Sequence, residues 1–225
     1  MELEARAVLA ALGQRGAALP AMIETHEVPV EVRAIGIRGA QMPAIDDETG
    51  AVIVAGVAGG LDPSVELYDI VIDDPAGLVP DSVPGRRGLI SSQTHIVPTS
   101  TEKAWLFRRT GALAVDMELA KVREAYAGLA VPVIGIRAIS DSACDSLDPR
   151  LTSLIDGLGR VRPGAVLWNF IRRPWMVLSS IRLVRRTSMA LARLGEIIRQ
   201  LVESEEFIRR FGSSADCRGN REPAV

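Results

Sequence analysis

The sequence predicts an α/β domain with a largely parallel or mixed sheet, and three observations support this fold class. Apolar runs typical of buried strands recur between residues 28 and 139. Segments with the apolar spacing of helices lie between several of these runs. Beyond Asp148-Pro149 the pattern becomes wholly helical. Strands that alternate with helices indicate a sheet flanked by helices, followed here by a helical C-terminal part.

The predicted elements follow from local patterns along the chain. Glycines and prolines mark loops, as at residues 13–20, and Thr99 is a candidate N-cap. Helices are expected at 4–12, 99–109, 118–129, 150–158 and 175–211, and strands at 28–37, 51–57, 67–72, 94–97 and 131–139. We therefore expect one domain over residues 1–210, with residues 150–210 as its helical part and residues 211–225 as a loose tail.

Length and composition exclude several classes of protein. A chain of 225 residues with 48% apolar and 24% charged residues is an ordinary globular domain. The formal net charge of −2 gives no reason to expect a nucleic-acid partner. Two cysteines and two histidines favour neither a disulfide framework nor a metal site. With so few cysteines, a reduced cytoplasmic location is the default expectation. No apolar run reaches the length of a membrane-spanning helix.

Acidic residues follow two of the apolar runs. Asp116 and Glu118 follow Ala114-Val115, and Ser140-Asp141 closes the run that begins at Val131. Ligands of open α/β sheets bind at the carboxyl ends of strands. A carboxylate such as Glu118 can accept hydrogen bonds from both hydroxyls of a ribose, and a desolvated Asp141 could stay protonated as a general acid. Helix capping is the alternative for each acid.

The glycine-rich segment 54–60 follows the clearest predicted strand. Glycines without a Cβ let backbone N–H groups approach a ligand closely. The segment is not a Walker phosphate-binding loop, because no lysine follows it, and it is not the dinucleotide-binding motif, because its glycine spacing differs. An ordinary tight turn is the alternative.

Three segments together resemble the purine nucleoside phosphorylase superfamily: AVIVAGVAGGLDP at 51–63, GALAVDMELA at 111–120 and IGIRAISDSA at 134–143. The branch most similar is the methylthioadenosine/S-adenosylhomocysteine nucleosidase type, over roughly residues 2–145. The helical C-terminal third looks most like the hopanoid-associated phosphorylases, which release adenine from adenosylhopane.

The resemblance implies a role for each matched residue. Asp141 would protonate the purine at N7, positioned by Ser140, and Met117 and Glu118 would hold the ribose. Glu4, with Glu2 as second choice, would activate the attacking water. The backbone at Val57, Ala58 and Gly59 would line the ribose and water side. The family implies a homo-oligomer and a nucleoside substrate, with no cofactor.

The sequence departs from the family at its start, because the family opens with a core strand before the N-terminal acid and Met1 stands three residues before Glu4. Either the coding start has been placed too far downstream or the protein lacks that strand. The second case would suit a non-catalytic, nucleoside-binding or scaffold protein.

The expected activity is the release of adenine from a 5′-substituted adenosine. Phosphorylases of the family that the sequence resembles often carry an arginine and a serine around the glycine loop, where they can bind phosphate. The matching stretch here, Ile53-Val54-Ala55-Gly56-Val57, has neither, so water is favoured over phosphate as co-substrate. Phosphorolysis of adenosylhopane is the alternative. Arginines along 182–199 could place the late helix on an anionic membrane, or could simply form its solvated face.

Overall fold

The computed structural model describes residues 2–25, 28–36, 42–146 and 176–212. Within these ranges the chain forms a six-stranded mixed sheet flanked by helices, which confirms the predicted fold class. The elements in chain order are α1 (Glu2–Ala11), β1 (Ala21–Thr25), β2 (Val28–Val32), β3 (Val52–Gly60), β4 (Ile70–Asp73), β5 (Arg86–Arg87), β6 (Ile90–Ser92), α2 (Ser100–Thr110), β7 (Ala114–Asp116), α3 (Leu119–Ala125), β8 (Val133–Asp141), α4 (Met176–Glu203) and α5 (Glu205–Phe211).

The main sheet has the strand order β5-β4-β8-β3-β7-β6, and β1 pairs with β2 in a separate hairpin. The two long central strands, β3 and β8, run parallel, whereas β4 and β7 run antiparallel to their central neighbours. All nine residues of β8 are buried. A strand covered on both faces gives a nearly continuous apolar run, which is why its sequence is so readily recognised.

The register between β3 and β8 places two charged residues opposite two glycines. Arg137 lies opposite Gly56, and Asp141 lies opposite Gly59. A β-bulge after Ala58 leaves Ser140 as the extra residue of β8. Bulges redirect the side chains that follow them and are common beside active sites.

Helices α1 and α4 cover one face of the sheet, where Leu9, Ile136 and Leu194 form part of the larger apolar core. Gly195 permits the close approach of these helices: a Cβ at that position would lie 2.9 Å from the Ala11 Cβ atom and 3.0 Å from the Ala7 carbonyl oxygen. Overpacking of that kind is destabilising. The contact fixes α1, and with it Glu4, against the domain.

Helix α2 confirms the prediction made from Thr99. The Thr99 hydroxyl accepts from the Glu102 N–H, the Glu102 carboxylate accepts from the Thr99 N–H, and Gly111 closes the helix at φ 66°. A capping box satisfies two N–H groups that the helix leaves unpaired. The helix start is thus well determined. Lys103, which directly follows Glu102, is completely buried.

Several local predictions were wrong. Residues 94–97 form no strand: β6 is Ile90–Ser92, and the Gln93 N–H donates to the Asp116 carbonyl where pairing with β7 ends. His95 is therefore exposed in a loop. The helix expected at 118–129 ends at Ala125, and the strand β1 was not predicted.

The late helical region is two helices rather than one. Ser204 separates α4 from α5, because its hydroxyl accepts from the Phe207 N–H and starts a new helix. Phe211, the first residue of the predicted tail, is the last residue of α5 and packs on Phe207 with ring centroids 4.6 Å apart. The remainder of the predicted tail, from residue 213, and the helix predicted at 150–158 lie outside the described residues.

Much of the apolar face of α4 is used by the protein itself. Ala190, Leu194, Ile197 and Leu201 are fully buried in the core that α4 shares with α1 and the sheet. This part of the helix therefore has no apolar face left for a bilayer. No helix among the described residues is both long and apolar enough to cross a membrane.

Candidate active site

The buried polar side chains of the protein are concentrated along one stretch of β3. Among the described residues, every buried polar or charged side chain except Asp73 belongs to one of two groups beside Gly56–Gly59. We name them the arginine cluster (Glu4, Asp116, Glu118 and Arg137) and the lysine cluster (Lys103, Ser140 and Asp141). Buried charges are costly unless they are paired, so such a concentration marks a site built for chemistry.

Arg137 is the centre of the arginine cluster. Its Nε and Nη2 atoms donate to the Asp116 Oδ2 atom at 3.0 and 2.5 Å, and its Nη1 atom donates to the Val54 carbonyl at 2.7 Å. The Glu118 Oε2 atom lies 3.9 Å from Nη2. The guanidinium thus ties β8 to β3 and to the end of β7.

The two acids after β7 have different roles. The Asp116 carboxylate also accepts from the Ser92 hydroxyl and from the Leu119 N–H, so Asp116 helps to start α3. Glu118 occupies the N-cap position but makes no side-chain capping hydrogen bond. The capping alternative therefore explains Asp116 and fails for Glu118.

Glu4 reaches the same cluster from α1. Its Oε1 atom accepts from the Val57 N–H at 3.2 Å. Glycine at position 56 makes this possible, because a Cβ there would lie 3.0 Å from Glu4 Oε1 and 3.1 Å from Arg137 Nη1. The absence of a side chain at Gly56 leaves room for a carboxylate and a guanidinium to lie side by side.

The lysine cluster lies at the other end of the glycine stretch. Lys103 Nζ donates to Asp141 Oδ2 at 2.5 Å, and the Ser140 hydroxyl donates to Asp141 Oδ1 at 2.9 Å. Gly59 leaves room for this carboxylate, since a Cβ there would lie 3.1 Å from Asp141 Oδ2. No helix begins in residues 142–146, so helix capping does not explain Asp141.

The turn after Asp141 is held from two sides. Lys103 Nζ donates to the carbonyls of Ser142 and Asp145 at 2.7 and 3.2 Å, and Arg186 of α4 donates to the Asp145 carboxylate at 3.0 Å. Burial alone would raise the pKa of Asp145. The N–H and hydroxyl of Ser142 and the Arg186 guanidinium outweigh burial and hold this pKa below its ordinary value.

The strand directions differ from the sequence argument. β7 runs antiparallel to β3, and β3 runs parallel to β8, so the carboxyl ends of β7 and β8 point in opposite directions. The acids nevertheless lie beside the same strand, because β7 is short and Arg137 draws Asp116 and Glu118 toward Gly56. Gly56 and Gly59 are three residues apart, about 10 Å along a strand. A nucleoside-sized ligand can span that distance.

The predicted site residues lie within these two clusters or beside them. Val57 contributes its N–H to Glu4, the Ala58 carbonyl accepts from Ser140 at 3.3 Å, and Gly59 faces Asp141. Met117 is half-buried between Asp116 and Glu118.

The sequence analysis missed Arg137 and Lys103. Arg137 could have been recognised as a charged residue inside the apolar run 133–139. An arginine is almost never fully buried in a strand unless it is paired. Lys103 lies in an ordinary-looking amphipathic helix and gave no such signal.

A separate open depression of about 390 Å³ lies at the β4–β5 edge of the sheet, between Asp73, Pro75, Asp81 and Arg87. None of the residues of the two clusters lines it. Its polar groups are largely engaged in holding loops, as Arg87 donates to the carbonyls of Pro80 and Val83. The charged clusters, rather than this depression, are the candidate site.

No cluster of His, Cys, Asp and Glu suited to a metal ion occurs among the described residues.

One protein-family model matches part of the sequence. Residues 78–161, which include Asp116, Glu118 and Asp141, match the model of the phosphorylase superfamily. No curated protein matches the sequence.

Three solved structures share the fold. Futalosine hydrolase of Helicobacter pylori strain 26695 is 15% identical, with a TM-score of 0.56 over 90% of this chain and 94% of that one. The 5′-methylthioadenosine/S-adenosylhomocysteine nucleosidase of Helicobacter pylori is 14% identical, with the same TM-score and coverage. The nucleosidase of Neisseria meningitidis is 16% identical, with a TM-score of 0.55 over 90% and 95%.

At such identities the structural likeness establishes the fold alone. The family model adds an independent match in sequence, over the segment that supplies most of both clusters. Over residues 78–161 this chain is similar in sequence to the phosphorylase superfamily, and its described part has the fold of the nucleosidase structures above.

Proposed function

We propose that the protein is a purine-nucleoside N-glycosidase, which hydrolyses the bond between the ribose and the purine of 5′-substituted adenosines. One observation carries the proposal: the arginine cluster and the lysine cluster lie at the two ends of the Gly56–Gly59 stretch. Breaking an N-glycosidic bond creates positive charge on the sugar and negative charge on the base. Each end of the site matches one of these charges.

Asp141 serves the base. As the C–N bond breaks, its electron pair stays with the purine, and the O–H of a protonated Asp141 delivers its proton to N7. The Ser140 hydroxyl orients this carboxyl group by bonding to the other oxygen. Protonation of the leaving base by a positioned acid contributes on the order of 10²–10⁴ in rate.

The arginine cluster serves the sugar and the water. Glu118 accepts hydrogen bonds from the ribose hydroxyls, and its negative charge stabilises the developing cation. Glu4 accepts a proton from the attacking water, whose oxygen bonds to the anomeric carbon. Gly56 and the Val57 N–H hold the Glu4 carboxylate in place for this step.

The charges favour water over phosphate. Among the described residues of the arginine cluster, three carboxylates surround one guanidinium, and Arg137 already donates to Asp116 and Val54. A phosphate dianion would need donors of its own, usually a bidentate arginine. Beside these carboxylates it would be repelled, whereas a neutral water would be activated.

The solved structures that share this fold suggest the substrates to try first. Two of the three are nucleosidases for methylthioadenosine and S-adenosylhomocysteine, and one is a futalosine hydrolase. Methylthioadenosine and S-adenosylhomocysteine belong to the substrate class that we propose, and futalosine is a further compound to test.

Product analysis tests the proposal. The protein would be incubated with methylthioadenosine, S-adenosylhomocysteine and futalosine, with and without inorganic phosphate, and free base and sugar would be separated by chromatography. We expect free base and an unphosphorylated sugar at equal rates in both buffers. Asp81→Asn, an exposed carboxylate outside the clusters, serves as the control and should keep full activity.

Two results would contradict the proposal. A sugar 1-phosphate that forms only when phosphate is present would show phosphorolysis, as expected for an adenosylhopane-cleaving enzyme. No base release from any nucleoside, together with retained nucleoside binding, would show a non-catalytic binding protein.

A further inference from the structure

Lys103 is the most deeply buried charged residue of the site, and the catalytic scheme above gives it no role. Its side chain has no exposed surface. All three hydrogens of an ammonium group have acceptors here: the Asp141 carboxylate and the carbonyls of Ser142 and Asp145. A lysine is rarely buried in this way unless its charge is paired and its donors are satisfied.

We propose that Lys103 is a positioning residue for Asp141, which fixes the carboxyl group from α2 and provides the counter-charge when that group gives its proton to the departing base. This inference rests on the proposed function and assigns one more residue to the same site.

The position of Lys103 is well defined by the fold. The capping box of Thr99 and Glu102 sets the start of α2 at Ser100, three residues before Lys103, and Leu106, about one turn after Lys103, is buried in the core. The ammonium group is thus delivered by a fixed helix rather than by a loop. Sites carried by regular elements hold their groups more precisely than sites on loops.

The pair has a clear effect on proton transfer. When the O–H of Asp141 breaks and an N–H forms on the purine, the carboxylate that remains faces the ammonium of Lys103 directly. A positive charge in contact stabilises the carboxylate that proton transfer leaves behind. The Ser140 hydroxyl, on the other oxygen, helps to keep this orientation.

The other charged groups near this pair are accounted for. Among the described residues, Asp145 in the following turn and Arg186 on α4 form their own ion pair at 3.0 Å. Gly59, on the neighbouring strand, contributes no side chain. Lys103 is therefore the cation in contact with Asp141, and its removal changes the charge beside this carboxyl group directly.

The test compares kcat and KM of base release for Lys103→Met, Lys103→Arg and the wild type. Methionine keeps the length of the side chain and removes the charge. We expect kcat to fall on the order of 10²-fold with little change in KM, as for a small misplacement of a catalytic group. Lys103→Arg, which restores a positive charge at this position, should recover much of the lost kcat.

Two controls separate positioning from folding. Lys121→Met removes an exposed lysine and should leave kcat and KM unchanged. In a double-mutant cycle, Lys103→Met should cost little further activity when it is added to Asp141→Asn, since Lys103 acts through Asp141.

The outcomes distinguish this proposal from the one on which it rests. No base release by the wild type overturns the proposed function and this role together. A Lys103→Met protein that releases base at the wild-type rate, or whose loss of activity is fully additive with that of Asp141→Asn, overturns the role of Lys103 alone.

Discussion

The arginine cluster and the lysine cluster solve the burial of charge in different ways. In the arginine cluster the Arg137 guanidinium pairs with the carboxylate of Asp116 and lies 3.9 Å from that of Glu118, and Glu4 reaches the same place beside Gly56. In the lysine cluster one ammonium faces one carboxylate. The carboxylates of the arginine cluster suit the positive charge that develops on the sugar and the water that attacks it. The ammonium of the lysine cluster suits Asp141, which gives its proton to the base and is left as a carboxylate.

Substitutions in the two clusters should also affect different properties of the protein. Arg137 joins β8, β3 and the end of β7, so its loss affects the sheet itself. Lys103 joins α2 to a turn at the end of β8, which is a more local connection. We therefore expect substitutions in the arginine cluster to affect stability most, and substitutions in the lysine cluster to affect turnover most.

Arg137→Met should produce the largest loss of stability. It removes the guanidinium that pairs with the buried carboxylate of Asp116, and breaking a buried ion pair in this way costs about 3–5 kcal/mol. The free energy of unfolding in urea measures it. Arg86→Met, which breaks an exposed pair with Asp69, is the matched control and should cost about 1 kcal/mol or less. Equal losses in the two variants would show that Arg137 does not hold the cluster together.

Glu118→Gln should have a smaller effect, on substrate binding. A hydrogen bond to a charged group is worth about 1.5–3 kcal/mol, so KM should rise on the order of 10- to 100-fold. The rise should vanish with a 2′,3′-dideoxy nucleoside, which has no hydroxyls for Glu118 to bind. Steady-state kinetics with both nucleosides measures this, with the exposed Glu66→Gln as control. A penalty that persists with the dideoxy nucleoside would remove Glu118 from ribose recognition.

Asp145→Asn should have the smallest effect, and one that depends on pH. Because hydrogen bonds from Ser142 and Arg186 hold the pKa of Asp145 below its ordinary value despite burial, its ionised form stabilises the folded state. This stabilisation is present above the ordinary carboxyl pKa of about 4 and is lost as pH falls through the lower folded value. The difference in unfolding free energy between the variant and the wild type should therefore be about 1 kcal/mol or less at pH 7 and should shrink at pH 3. If the difference in unfolding free energy instead grew toward pH 3, the ionised form of Asp145 would not be the one that stabilises the folded state.

The sequence predicted the parts of the fold that depend on local patterns. The strand at 52–60, the helix after Thr99 and the strand at 133–141 each have a continuous apolar run or a capping signal of their own. The strand at 94–97 was misplaced because its apolar residues have strand propensity but no neighbouring strand to pair with. Pairing is decided by distant residues, and so are the antiparallel direction of β7 and the hairpin β1–β2.

The candidate site was predicted unevenly for the same reason. Glu118 and Asp141 stand out because each follows an apolar run within a motif. Their partners are distant in sequence: Lys103 is 38 residues from Asp141, and Arg137 is 21 residues from Asp116. No spacing rule joins such pairs until the sheet has formed. The bulge that makes Ser140 the extra residue of β8 is likewise a property of the paired strands.

The most direct measurement is single-turnover release of base from a 5′-substituted adenosine by Asp141→Asn, together with nucleoside binding to the same variant. If Asp141 protonates the leaving purine while Glu118 holds the ribose, turnover should fall on the order of 10²–10⁴-fold and the dissociation constant should change little. Near-normal turnover by the variant would contradict the assignment of Asp141 as the acid. Loss of binding in step with turnover would show that Asp141 holds the substrate rather than protonating it.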